Sequence, residues 1–129
     1  MQDVTLRENI LSPHYREQEI GGARYFAGLS LNELEKLIKL GFVERGPWNS
    51  CDGVDDMFIP FMRRHPGFTA HGYAIAPQRK DCRITVEGVE KEGASTLTEL
   101  ADFAITFKNA DEMNIDPDQD CSYLRCWYD

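Results

Sequence analysis

Two alternating runs over residues 68–90 form the most regular pattern in the chain, and a polar turn beginning at Pro77 separates them. This pattern predicts a β-hairpin. In its first strand Thr69, His71, Tyr73 and Ile75 share one face, and the small residues Ala70, Gly72, Ala74 and Ala76 share the other. In the second strand Cys82, Ile84 and Val86 alternate with Arg83, Thr85 and Glu87. If the large apolar faces coincide, Tyr73, Ile75, Ile84 and Val86 are the core and His71 lies at its edge.

Helical spacing flanks the hairpin. Ser30 followed by Glu33 is a capping box, and the helix behind it places Leu34, Leu37 and Ile38 on one face. Gly41 then suits a left-handed helix end, with Phe42 making the hydrophobic contact just beyond. A second helix is predicted over 54–64 with Val54, Met57, Phe58, Phe61 and Met62 as its apolar face. Pro60 lacks a backbone donor, so this helix must kink or start later, and His65, Pro66 and Gly67 stop it. Thr96 with Glu99 is a second capping box, opening a helix that carries Leu97, Leu100, Ala101, Ala104 and Phe107. Its tail, 103–107, fits helix and strand periods equally. A short strand is expected over 111–115, a turn over 116–120, and a last strand over 122–128. That last strand puts Leu124, Cys126 and Tyr128 on one face and Tyr123, Arg125 and Trp127 on the other.

These elements give an α+β fold in the order α-α-β-β-α-(β)-β: an antiparallel sheet of three or four strands with helices packed on one face. Residues 1–28 show no clean period and contain Gly21 and Gly22, so they are expected as a loosely ordered arm anchored by Tyr25 and Phe26. Residues 29–129 then form one domain, and 129 residues bury enough surface to need no staple.

Charge changes this picture. Residues 1–80 hold ten basic and ten acidic residues, whereas residues 81–129 hold four basic and twelve acidic, so the net charge of −8 arises in the last third. Such a chain is repelled by the phosphate backbone, and direct nucleic-acid binding is not expected. An acidic face that docks on the basic surface of a protein partner is the sharper expectation. No long apolar run is present at the start, which predicts neither a signal peptide nor a membrane span and places the chain in the cytoplasm. Cys51, Cys82, Cys121 and Cys126 are then free thiols, and without a Cys-x-x-Cys spacing no metal site or cofactor is assigned.

The chain carries no Gly-rich phosphate loop, no Gly-x-Ser-x-Gly and no His-Glu-x-x-His, so no catalytic residue is assigned. Asp116, Asp118 and Asp120 open like a calcium loop, but Cys121 stands where glycine is needed and Trp127 where a bidentate glutamate is needed. The candidate binding residues are Tyr123, Arg125 and Trp127 on the last strand, expected beside the small face of the hairpin, together with His71 and the loop residue Trp48. The expected function is a non-enzymatic interaction module. The alternative is a small enzyme or small-molecule binder with a pocket between sheet and helices near His71 and His65.

The phrases LSLNELEKLIKLGFV and FMRRHPGFTAHGYAIAP and the closing CWYD resemble small bacterial proteins of anaerobic gut species, often encoded near mobile elements. The resemblance covers about residues 25–129. It implies a bacterial cytoplasmic setting and an accessory or inhibitor role in mobile-element biology, and it carries over no residue-level function.

Overall fold

A computed structural model describes residues 3–48, 51–80, 82–115 and 123–128, with 17–20 described by their backbone alone. The elements run α1 (Val4–Leu11), β1 (Tyr15–Ile20), β2 (Ala23–Leu29), α2 (Leu31–Lys39), a π-helical turn (Val54–Phe58) and α3 (Ile59–Arg64). They continue with β3 (Thr69–Ile75), β4 (Ile84–Glu92), α4 (Leu97–Thr106), β5 (Glu112–Ile115) and β6 (Tyr123–Trp127). The fold is α+β, as expected, but the sheet is larger: six antiparallel strands in the order β1-β2-β3-β4-β6-β5.

The extra strands come from the segment expected as a loose arm. Residues 3–29 form α1, a 3-10 turn and the β1–β2 hairpin, whose turn uses the left-handed Gly21 and Gly22. What ties α1 down is Arg7, whose side chain is fully buried. Its guanidinium donates to the Ile75 carbonyl, pairs with Glu8 and lies 5.4 Å from the Phe42 ring centre. A buried cation needs such partners, and here they join the first helix to the end of β3. Sequence periodicity carries no sign of an anchor supplied from 68 residues away.

The helix signals hold. Both capping boxes form, with the Ser30 and Thr96 hydroxyls accepting from the Glu33 and Glu99 backbone N–H groups. Gly41 adopts φ 85°, and the Phe42 N–H donates to the Leu37 carbonyl to close α2. Pro60 acts as expected: the regular helix starts at Ile59, with the wider π turn ahead of it. The 103–107 stretch is helical up to Thr106, because Phe103 and Phe107, four residues apart, both reach the core.

One face of the sheet carries the core. Ala74 pairs with Ile84, Gly72 with Val86 and Ala70 with Val89, so the small positions of β3 share a face with the branched positions of β4. The buried cluster joins these residues to Leu124 and Cys126 of β6 and to Leu11, Leu34, Phe61 and Phe103 of the four helices. This reverses the expected core face of β3. Tyr73 pairs with Thr85 on the other side, and Ile75, although buried, stands outside the cluster. The difference is a slip of one residue in register, which turns every side chain of a strand over. The small residues admit the bulky helix layer above them, where Phe61 meets Phe68 and Phe107 edge to face at 4.8 and 4.7 Å.

Candidate functional site

The second face of the sheet has none of the four helices on it, and β6 shows why it is chemically distinct. Leu124 and Cys126 are fully buried in the core, so Tyr123, Arg125 and Trp127 point to the open side. Arg125 pairs with Glu90 across β4, and Glu92 with Tyr123, so two glutamates of β4 share this face. The Tyr123 hydroxyl donates to Glu90 Oε2 at 3.1 Å, and Arg125 Nε lies 4.0 Å from the same oxygen. Burial, followed by the charge and acceptor of Glu90, raises the Tyr123 phenol above its ordinary range.

His71 lies on the floor. It pairs with Gly88, and beside them β4 carries a bulge: Gly72 pairs with Val86, leaving Glu87 as the extra residue. At this bulge β6 stays close, its Tyr128 N–H donating to the Glu87 carbonyl, and the Cys126 carbonyl accepts its hydrogen bond from His71 Nε2, at 2.8 Å. A carbonyl only accepts, which fixes the proton on Nε2. Burial, and then the positive charge of Arg125, push the His71 pKa down to about 4 from 6.5. His71 is therefore a neutral bridge between β3 and β6, and it serves the backbone.

That bridge gives a pH prediction. The unfolded chain takes up a proton at His71 near pH 6.5, and the folded protein refuses it until about pH 4. Stability is then complete above pH 6.5 and falls as pH drops towards 4, by about 3 kcal/mol from this group. Equilibrium urea unfolding at pH 7 and pH 4.5 measures the slope, and His71→Gln should remove most of it. An unchanged slope in that variant would show that His71 is not the group responsible.

Three hollows join along this face. The middle one, of about 250 Å³, has Tyr25 on the β2 side and Trp127 on the β6 side, with Arg16, Glu87, Glu90 and Arg125 around it. Towards one end lies a hollow of about 230 Å³ lined by Glu44, Trp48, Tyr73, Arg83 and Thr85, with Glu87 as the shared wall. Towards the other end, about 340 Å³ is lined by Thr69, Gly28, Gly67, Lys91 and Glu92, with Arg16 and Glu90 shared. Together they make a trough following β3 from Tyr73 to Thr69, four residue steps or roughly 14 Å of extended chain. Trp48 reaches its end from a tightly closed loop: its indole lies over Gly46, where a Cβ would come within 2.5 Å of the ring. It half-packs on the core and half-faces the trough.

Of the candidates from sequence, His71, Arg125 and Trp127 meet in the middle hollow, Trp48 lies in the next one, and Tyr123 braces Glu90. The expected setting is corrected in one respect. Ala70 and Ala74 face the helices, so the aromatic strand stands beside His71 and Glu90 and not beside the small residues. The alternative expected a pocket near His71 or His65: the two histidines lie in different layers, and the hollow that His71 lines, with Glu87 and Glu90, is on the open face of the sheet. His65 Nε2 contacts Asp102 at 2.6 Å in the helix layer, where Asp102 also accepts from Arg64 and Thr106. Those donors, Arg64 first, hold the Asp102 carboxyl down to about 2.

Sequence reasoning misses Arg16, Tyr25 and the glutamates of β4. The alternation within ARYFAGL is the available signal for Tyr25. Burial first of all raises the Cys51 thiol to about 11 and the Cys126 thiol to about 12, which disfavours the thiolate at these two positions. Among the described residues no group of three His, Cys, Asp or Glu could hold a metal ion. The aspartates at 116–120 and Cys121 lie outside the described residues. No helix among the described residues is long and apolar enough to cross a membrane.

The fold and site define a single helix layer on a six-stranded antiparallel sheet with an aromatic-walled trough on its bare face. No family model, curated protein or solved structure matches the chain.

Proposed function

We propose that the chain is a non-enzymatic interaction module that takes an extended segment of a protein partner into the trough on its open sheet face. The observation that carries this reading is the trough itself: three connected hollows on the bare face, with Tyr25 and Trp127 on either side of the middle one. Aromatic and arginine side chains are the residue types that concentrate binding energy at protein interfaces. The trough also offers donors at Arg16 and Arg125 and acceptors at Glu87 and Glu90. A polypeptide backbone needs both, whereas a polyphosphate would meet the glutamates as repulsion. A role as an accessory or inhibitor factor of a bacterial mobile element, acting in the cytoplasm, rests on the sequence resemblance alone.

The test is recovery of the partner from a lysate of the source cells by tagged wild-type protein and by the double variant Tyr25→Ala/Trp127→Ala. Losing two such anchors costs about 2 kcal/mol or more each, so recovery should fall at least about tenfold. The melting temperature should hold within a few degrees, because both side chains lie on the open face. A partner retained in full by the folded double variant would remove the trough as its docking site.

A further inference from the structure

The trough lies over the middle of the sheet, which limits how it can hold a peptide. β3 beneath it is paired with β2 on one side and with β4 on the other, and the edge strands of the described sheet are β1 and β5. A segment in the trough cannot add as a further strand, so its backbone finds partners only among the side chains of the walls. Those walls are neutral. The two hollows that meet at Glu87 bring the carboxylates of Glu44, Glu87 and Glu90 against the guanidinium groups of Arg16, Arg83 and Arg125. The third hollow adds Glu92 and Lys91 and keeps the balance.

Donors and acceptors are not balanced in the same way. Glu44 is met by Arg83 Nε at 3.1 Å and accepts from the Thr85 hydroxyl at 3.4 Å. Glu90 accepts from the Tyr123 hydroxyl, with Arg125 Nε at 4.0 Å, and Glu87 is also engaged within the chain. A guanidinium carries more N–H groups than one such contact uses, and the indoles of Trp48 and Trp127 only donate. The walls therefore have donors to spare, while their acceptors are largely taken. Ordinary residues bring an N–H with every carbonyl, and an N–H that finds no acceptor disfavours binding. Proline brings the carbonyl alone. Glu87 and Glu90 then have only the N–H groups of the other positions to accept. Tyr25 and Trp127 wall one hollow and Tyr73 and Trp48 line the next, and such aromatic-lined grooves suit prolyl rings. A polyproline II helix has no internal hydrogen bonds and is already extended when free, so little order is lost on docking. Its three-residue turn rises about 9 Å, so the roughly 14 Å of trough takes one turn and part of a second, and one segment reaches both hollows.

We infer that the segment taken by the trough is a proline-rich polyproline II stretch without charged side chains, its rings against the aromatic walls and its carbonyls towards Arg16 and Arg125. This rests on the reading of the open face as a docking surface and specifies its partner.

The test titrates three capped synthetic heptapeptides into the ¹⁵N-labelled full chain: Gly-Pro-Pro-Ala-Pro-Pro-Gly, its counterpart Gly-Ala-Ala-Ala-Ala-Ala-Gly, and the strand-forming Gly-Thr-Val-Thr-Val-Thr-Gly. The proline peptide should shift the indole N–H signals of Trp48 and Trp127 and the amide signals of His71 and Tyr73. It should bind at least about fivefold more tightly than either control. Its affinity should change less than about twofold between about 0.05 and 0.5 M NaCl, because the peptide brings no charge to screen. Trp127→Ala should weaken it about tenfold, and Tyr25→Ala gives a second reading if the first variant does not fold. Equal binding of the three peptides, no binding of any, a preference for the strand former, a steep fall with salt, or full binding by both alanine variants would overturn the proline assignment. If that happens while partner recovery still depends on Tyr25 and Trp127, the docking face stands without it. If recovery survives the double variant, the docking face itself falls.

Discussion

Replacing Phe61 by alanine will cost the native state about 3–5 kcal/mol, the range for removing a large aromatic ring from a closed core. Phe61 is fully buried and stands at the centre of the helix layer. Its ring lies 4.7 Å from Phe107 and 4.8 Å from Phe68 in edge-to-face contact, 4.9 Å from His65 and 6.3 Å from Phe103. It therefore joins α3, the approach to β3, and α4. The six residues of α3 are too few to be stable as an isolated helix, so this packing is what holds them helical. Equilibrium denaturation by circular dichroism gives the loss. Phe61→Leu, which keeps most of the volume, should cost less than about 1.5 kcal/mol. A loss below about 1 kcal/mol for the alanine variant would show that the ring is not enclosed as described.

Gly88→Ala is the second large loss expected, and it bears on the open face. A Cβ built at Gly88 falls 1.9 Å from the Cys126 carbonyl oxygen and 2.6 Å from His71 Nε2. The carbonyl belongs to β6, which is held close by the hydrogen bond from the Tyr128 N–H to the Glu87 carbonyl at 2.7 Å. The added methyl group must push β6 outward or break the His71 bridge, and a buried carbonyl left without its donor costs a further 1–3 kcal/mol or so. The total is about 3 kcal/mol or more, a fall of roughly 10 °C in Tm for a chain of this size. Adding His71→Ala should not restore stability, because the nearer clash is with backbone. An unchanged Tm in Gly88→Ala would mean that β6 does not lie against the bulge, and the middle hollow would lose its wall.

The parts of the fold set by neighbours along the chain are legible in the residues themselves. The capping boxes at Ser30 and Thr96, the Gly41 helix end and the late start imposed by Pro60 each depend on residues within one or two turns. The parts set by distant residues are not. The N-terminal segment is placed by Arg7 reaching Ile75 and by the pairing of β2 along β3, both made with residues far along the chain. The core face of β3 depends on a register that the alternation leaves open to a slip of one residue, and the helix layer decides it. The site is legible on the same terms. The alternation of β6 exposes Tyr123, Arg125 and Trp127, whereas Tyr25, Arg16 and the glutamates of β4 join them only through the six-strand order. The place of His71 at the edge of an alternating strand suits a packing residue, but its acceptor, the Cys126 carbonyl 55 residues away, has no signature in the sequence.

The central claim is that partners dock on the bare sheet face and not on the helix layer. Site-specific photo-cross-linking tests it most directly, with a benzophenone amino acid placed at Tyr25 in one protein and at Ile105, exposed on α4, in another. Irradiation in lysate of the source cells should give a defined adduct from position 25 that excess untagged protein suppresses, and none from position 105. A competable adduct from position 105 with none from position 25 would place the interaction on the helix layer and contradict the account.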